Sequence, residues 1–515
     1  MKKTHFGISV LLCLCILFCG CDNGSGNDGD VGNNVFVKPQ NLMTEGEYHT
    51  QLQHLLDTEN FTTLDGNALE KIDELGDKFN EMIIYSGGEI TECTGTSYYV
   101  SNNGNDDNDG KSPETAWATL KKINNYRFDD GDLVLFERGG FWRGTIFAQS
   151  GISYSAYGTG FKPKFYCSLE GKSAGWTQTD DENIWVYNEK LSANDIGCIV
   201  FNAGAQGETY AEKMENCEKL KKDLQFTFMG GKSTGRPIDF KIYMYSTEGN
   251  PAERFDTIEF SVDNHQLSVA NGAHDIAFNN LDLYFGIDGF WGTSLKNISM
   301  SYCCSSWVGG HYDANNVRYG GGSGAWRDCD GISFKYCRFY QQFDTSVTAQ
   351  YRTNLDEASA VFKDFSVSHC IFEYCDTVLE CFNQQPQKSD NCYKNLYFGY
   401  NFCRNGGYGF GTKPQQSAYI KADVGENCFY DSCMEYNLFD RPVLSTIKIN
   451  GYTKASGKTE LSFEHMPQLK NNIYIQKADK RFAIINKTDY KYNKQTYFDI
   501  ENTGIENGSV YLFCE

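Results

Sequence analysis

Five short segments with apolar residues in the same places, variable insertions between them, and no intervening helix pattern predict an all-β chain. The architecture they imply is a single-stranded right-handed parallel β-helix with an N-terminal α-helical segment and a cap. With Ile276, Ile298, Ile332, Phe365 and Leu396 as first positions, the segments read IAFNNLDLYF, ISMSYCCSSW, ISFKYCRFYQ, FSVSHCIFEY and LYFGYNFCRN. Their starts are 22, 34, 33 and 31 residues apart. First and third places are apolar throughout, the alternation of a short strand with one buried face. One unit cannot bury that face alone, whereas stacked units can. A propeller blade would be longer and show hairpins, and a leucine-rich repeat would show regular leucines.

The chain opens MKKTHFGISVLLCLCILFCGC, two lysines and then an apolar run from Ile8 to Phe18, too short to span a bilayer as a helix. This pattern predicts a secretory signal over 1–21. Phe18-Cys19-Gly20-Cys21 resembles a bacterial lipobox, with Phe18 where an aliphatic residue is usual. Lipidation at Cys21 would anchor the protein to the bacterial cell envelope after passage across the inner membrane. Residues 22–45, with DNGSGNDGDVGNN, read as a flexible polar tether. In the helical segment, 46–97, Leu69, Ile72, Leu75, Phe79 and Met82 recur at spacings of three and four, with Asp65 or Asn67 as cap. The coil is expected over 98–440, with β-rich coils and a cap over 441–515.

A formal charge of −21 argues against a duplex nucleic-acid partner, which needs a basic face. It leaves neutral glycans open and makes an acidic polymer depend on a local basic groove. Aromatics at 15%, 51 glycines and nine prolines favour strands and tight turns. The expected species is a monomer.

Cys303, Cys337 and Cys370 share the sixth place of three successive units, and Asn401 holds the same place in the fifth. Stacked rungs place such residues about 4.8 Å apart, so an internal column of mostly free thiols is expected even in an oxidising compartment. No second pair of Cys or His accompanies Cys370 and Cys375 or Cys428 and Cys433, so zinc is not supported there and no metal is assigned.

The stretch VSNNGNDDNDGKSPETAWATL, Val100 to Leu120, begins like a calcium loop. Counting from Asn105, however, its twelfth place is Ala116, where a bidentate Glu is needed. An incidental calcium ion is the most it would hold, and no cofactor is expected. The stretch reads better as a polar turn feeding a helix, with Ser112 as N-cap, Pro113 at the first position, and Trp117, Leu120 and Ile123 on one face.

YYVSNNGNDDNDGKSPETAWATLKKIN, DDGDLVLFERGGFWRGTI and SYSAYGTGFKP together resemble the opening segment of secreted pectate-lyase-like β-helix proteins of bacteria. The likeness continues through NIWVYNEKLSANDIGCIVFNAG, FEYCDTVLECFN and NGGYGFGTKPQ, covering roughly Tyr98 to Gln415. It implies that the first strand, turn and short helix cap one end of the stack, and that the chain acts on a glycan. It specifies no reaction. The acidic calcium cluster of the pectate lyases is not visible, and RYGGGSGAWRDCDG, between Val317 and Ile332, is irregular.

A groove along the side of a β-helix would present carboxylates at the separations glycosidases use, about 5–9 Å. Glu380 and Asp344 are the candidate catalytic pair. Leu379, Cys381 and Phe382 around Glu380 suggest an apolar setting that suits a general acid. Asp376 reads as a turn residue. Gln350, Arg352 and Lys413 are candidates to bind sugar hydroxyls or a carboxylate, His311 to contact substrate, and Trp307 to stack on a pyranose ring, as Trp291 and Trp326 also could. The leading expectation is a glycoside hydrolase. Second is a polysaccharide lyase, which would need Lys413 or Arg352 as base; a non-catalytic glycan-binding lipoprotein is the third reading.

Overall fold

The structure, a computed structural model, describes residues 36–85, 87–230, 238–312, 318–351, 361–383, 392–411, 417–424, 428–451 and 461–515. Cys21 and the segment before Phe36 lie outside the described residues. Among those described, no helix is long and apolar enough to cross a membrane.

From His274 onward the chain passes in rotation through three sheets whose rungs pair in parallel, with an antiparallel strand, Thr488–Lys491, at the end of the third. His274–Asn279, Asp282–Tyr284 and Trp291–Thr293 form one rung; Lys296–Ser301, Cys304–Val308 and Gly321–Trp326 form the next. The rotation continues to Val510–Cys514, so the stack is a parallel β-helix. We call the sheets 1, 2 and 3 in the order each rung visits them.

Sheet 1 carries the repeat. Ile276 pairs with Ile298, Ile298 with Ile332 and Ile332 with Phe365, and all are buried with Leu396 in one continuous core. Two places further on, Phe278, Met300, Phe334, Val367 and Phe398 fill the same core, because successive inward positions of a strand lie two residues apart.

The turn from sheet 1 to sheet 2 repeats with equal regularity. Tyr302, Tyr336, His369, Tyr400 and Tyr436 all take left-handed backbone angles, with φ between 51° and 57°, turning the chain from one sheet to the next within one residue. Their rings stack outward, Tyr302 on Tyr336 at 4.7 Å, His369 on Tyr400 at 5.0 Å and Tyr400 on Tyr436 at 4.8 Å. The next residue of each turn points inward, and here Cys303, Cys337 and Cys370 stand in file. The Cys337 N–H donates to Cys370 Sγ at 3.4 Å and the Cys370 N–H to Asn401 Oδ1 at 2.9 Å. Beyond them Asn401 donates to Asn437 and Asn437 to Asn472, each at 3.0 Å. The cysteines among the described residues are free thiols.

Two helices lie along the outer face of sheet 2. Helix α1, Glu45–Leu56, opens on a Thr44 capping box with Glu47, and helix α2, Gly66–Tyr85, has its Ala68 N–H capped by Asp65 at 2.8 Å. Tyr48 stacks on Phe79 at 3.9 Å, and both pack with Tyr336, Ile371, Phe402, Leu438 and Leu512 of the coil. A buried ion network fastens α2: Arg404 meets Asp77 and Glu373 at 2.6 Å each, and Arg338 meets Glu373 at 3.0 Å. Burial works against the charge on Glu373, but the two guanidiniums outweigh it and hold the carboxyl below the usual range.

The predicted helix after Ser112 is split in two. Ser112 caps only the short turn Pro113–Thr115, the chain extends at Ala116, and Thr119 caps a second helix, Leu120–Asn125. Trp117, Leu120 and Ile123 are nonetheless buried in the coil core. Asp106 accepts from the N–H groups of Ala118 and Thr119 at 2.8 and 3.0 Å, and Asp109 from Lys111 N–H and the Thr115 hydroxyl, so these carboxylates are occupied in shaping the turn.

Within the span expected to be coil, residues 168–261 instead form an eight-stranded, mainly antiparallel sheet with its own core of Trp176, Ile199, Phe226, Met244 and Phe260. It rests on the outer face of sheet 2, where Val200 and Cys198 pack with Tyr166, Tyr284 and Trp307.

Candidate active site

The rungs differ most where sheet 2 turns into sheet 3. Phe343-Asp344 joins Arg338–Gln342 to Thr345–Tyr351, and Tyr374-Cys375-Asp376 joins Ile371–Glu373 to Thr377–Asn383. The rung before has a long insertion over 309–320 and the rung after has one over 405–417. Two tight turns thus lie between two long ones, and we call the strip between the insertions the groove.

Asp344 and Asp376 hold the same place on adjacent rungs, because Thr345 pairs with Thr377. Arg318, from the first insertion, lies 3.7 Å from each carboxylate. Its guanidinium donates to the Gly411 carbonyl at 2.7 Å and to that of Phe343, and packs over the Phe343 ring, so it ties both insertions to the floor. Asp376 also accepts from the Ser417 hydroxyl at 2.6 Å.

On sheet 3, Thr348, Glu380, Lys421 and Lys448 are aligned on successive rungs on the face away from the core, Thr348 and Glu380 being buried there, whereas Val347, Leu379, Ile420 and Ile447 are aligned in the core. The Glu380 carboxylate accepts from Lys421 Nζ at 2.6 Å and from Gln350 Nε2 at 2.8 Å. Its setting is therefore polar, contrary to the expectation from its neighbours: Leu379 and Cys381 point to the opposite side of the strand.

Asp344 keeps 38% of its side chain open to solvent although protein crowds it from below. That crowding, and next the charge of Glu380, push its carboxyl up to about 6, with Arg318 and Lys421 pulling the other way. Burial works against a charged Lys421, but the Glu380 ion pair prevails and keeps the ammonium protonated well above its usual range. Beneath the groove Asp288 is pushed up to about 7 by burial, against hydrogen bonds from Gly321 N–H and Trp291.

Trp291 is aligned on sheet 3 with Gly324, which in turn pairs with Thr348. A Cβ at Gly324 would stand 2.7 Å from the indole, so the missing side chain is what lets the ring lie across that rung. The irregular glycine-rich run is thereby a regular strand of sheet 3. Tyr312 and Tyr408, from the two insertions, are 36% and 61% exposed.

Two expected substrate contacts are corrected. Trp307 is 1% exposed, packed against Tyr340 and Phe410 under the inserted sheet, and His311 is 0% exposed against the backbone of Gly197. Neither reaches the groove, because residues 168–261 cover that face. Arg352 and Lys413 fall outside the described residues. The residue beside Glu380 is Lys421; counting from Leu396 misses it because the 405–417 insertion shifts the numbering. Aligning the alternation of AYIKADV with TVLECFN would have found it. Arg318 carried no signal at all, since the loop that bears it has no period. A separate hollow bounded by Asp106, Lys121, Lys122, Asn125 and Tyr126 has one carboxylate, Asp106, which is already hydrogen-bonded to Ala118 and Thr119.

No protein-family profile matches the chain, and no curated protein matches it. Solved structures do. A protein described as a glycoside hydrolase is 10% identical with a TM-score of 0.47, covering 81% of this chain and 96% of its own. A rhamnogalacturonan lyase is 11% identical with a TM-score of 0.39, covering 77% and 86%. A GH136 lacto-N-biosidase from Eubacterium ramulus is 13% identical with a TM-score of 0.33, covering 92% and 80%.

Proposed function

We propose that the protein is a glycan-cleaving hydrolase of the cell envelope, acting on a polysaccharide or oligosaccharide. The observation that carries this reading is Asp344, an open carboxyl raised to about 6, set beside the ion-paired carboxylate Glu380 on a groove floor. Asp344 gives its proton to the glycosidic oxygen as the bond breaks. Glu380, oriented by Lys421 and Gln350, activates the incoming water or stabilises the positive charge that develops on the sugar ring. Arg318, braced by Asp376, holds Asp344 in place. Trp291 and Tyr408 offer flat faces for pyranose rings.

Elimination on a uronic-acid polymer stands second, favoured by the two cations Arg318 and Lys421 at the site. Against it, a lysine held protonated by Glu380 is a poor base. The coil is taken as right-handed, the hand that strand–crossover–strand connections adopt almost always, with residues 101–125 closing its first end. Cys21 carries the lipid that tethers the monomer to the envelope.

Purified protein incubated with a panel of plant, algal and host polysaccharides tests the reading. New reducing ends without unsaturated-product absorbance are expected, with turnover falling about 100-fold or more in Asp344→Asn and Glu380→Gln while binding persists. Unsaturated products would establish elimination. Glycan binding unaltered by either substitution, with no turnover in the parent protein, would leave a binding protein.

A further inference from the structure

Away from the groove, helix α1 brings two side chains against the aromatic column of the sheet 1 to sheet 2 turns. Glu45 and His49, one helical turn apart, meet His369 of the coil. His49 Nε2 lies 2.9 Å from His369 Nε2, Glu45 Oε1 lies 3.4 Å from His369 Nε2, and His49 Nε2 lies 3.9 Å from the same Glu45 oxygen. Among the described residues, this is the one group of His, Cys, Asp and Glu side chains whose ligand atoms gather within 4.8 Å of one another.

These separations are informative. Tetrahedral zinc bonds of about 2.0–2.2 Å place neighbouring ligand atoms roughly 3.3–3.5 Å apart. The three edges of the cluster bracket that value. Two imidazole nitrogens aimed at each other can share only one hydrogen bond, whereas a cation between them and the carboxylate engages all three lone pairs. The other nitrogen of His369 has no hydrogen-bond partner among the described residues, so nothing there ties down which nitrogen carries the proton, and Nε2 can present its lone pair.

The surroundings are those of a held ligand set. The second oxygen of Glu45 accepts the Tyr336 hydroxyl proton, leaving Oε1 to face the histidines. His369 is stacked on Tyr400 at 5.0 Å, and His49 packs on the same ring at 4.3 Å. His369 is 9% exposed at its side chain, while His49 at 35% and Glu45 at 46% leave one side of the cluster open to solvent.

We propose that Glu45, His49 and His369 form a zinc site, with water in the fourth position, that latches helix α1 to the coil. Two imidazoles and one carboxylate suit Zn²⁺ over Ca²⁺ or Mg²⁺, which prefer oxygen ligands. The ion would fasten helix α1, at the end of the expected tether, to the body that carries the groove.

Zn²⁺ alone, titrated into chelator-stripped full-length protein against a chromophoric chelator, is the test. One tight Zn²⁺ per chain is expected, weakened more than about 10-fold in His49→Ala and in Glu45→Gln, both at partly exposed positions, and about 10-fold in Tyr336→Phe. Co²⁺ in place of Zn²⁺ should give the visible bands of a four-coordinate nitrogen and oxygen set without a thiolate charge-transfer band. No stoichiometric Zn²⁺ binding in the parent protein would overturn the proposal. So would binding that His49→Ala and Glu45→Gln leave unchanged, or a thiolate band, either of which would place the ion on cysteines or elsewhere.

Discussion

Asp344 is poised to hold a proton where most aspartates have lost theirs, and its neighbours set how firmly. Burial and Glu380 raise its carboxyl to about 6, and Arg318 and Lys421 restrain the rise. As the proton donor it loses activity as pH climbs through about 6. The same shift has a stability consequence: a carboxyl raised on folding contributes stability that is fully present below its unfolded value and is lost as pH rises through the folded one. Removing Glu380 by Glu380→Gln takes away a nearby negative charge, so the Asp344 titration should move down. Lys421→Met takes away a positive charge, and the titration should move up. Carboxyl-carbon NMR titration of the two variants reads both directions, and shifts of equal sign would rule out this electrostatic account.

At the scale of an element, the turn between sheets 1 and 2 shows how one position can be solved by two chemistries. Cys303, Cys337 and Cys370 fill the inward place with polarizable, weakly hydrogen-bonding sulfur; Asn401, Asn437 and Asn472 fill it with amides that satisfy one another and the backbone. The two solutions should respond differently to truncation. Asn437→Ala strands the partners on both neighbouring rungs and is expected to cost about 3 kcal/mol, whereas Cys337→Ala loses mainly packing and is expected to cost about 1 kcal/mol. Urea unfolding of the two variants checks the order. The column itself was legible in the sequence because Cys303, Cys337 and Cys370 each sit five residues after a buried apolar position of sheet 1. The aromatic turn residues one place earlier were legible on the same ground. Their left-handed backbone was not, since tyrosine and histidine do not advertise it as glycine does.

Across the whole molecule, stacking leaves almost all the described thiols inside, with Cys93, Cys217 and Cys433 partly exposed. A thiol reagent should therefore react at those three in the native protein and at the remaining described cysteines only after denaturation. Rapid native reaction at Cys337 or Cys370 would contradict the stack. The large-scale arrangement also explains which surface is available for chemistry. Helices α1 and α2 and the 168–261 sheet cover the outer face of sheet 2, and the groove with Asp344, Asp376 and Glu380 lies at its boundary with sheet 3.

What the amino-acid order determined was the periodic part: the parallel rungs, their apolar positions, the cysteine file, helix α2, and Asp344 and Glu380 as carboxylates worth following. A strand repeat records itself as spacing because each rung meets the same core. The tertiary structure alone decided the rest. Arg318 and Lys421 reach the carboxylates across insertions of unequal length, Trp307 and His311 vanish beneath a sheet that has no place in the repeat, and Glu45, His49 and His369 meet across more than three hundred residues. Such neighbours follow from how loops and rungs pack in space, and that packing leaves no interval in the sequence to count.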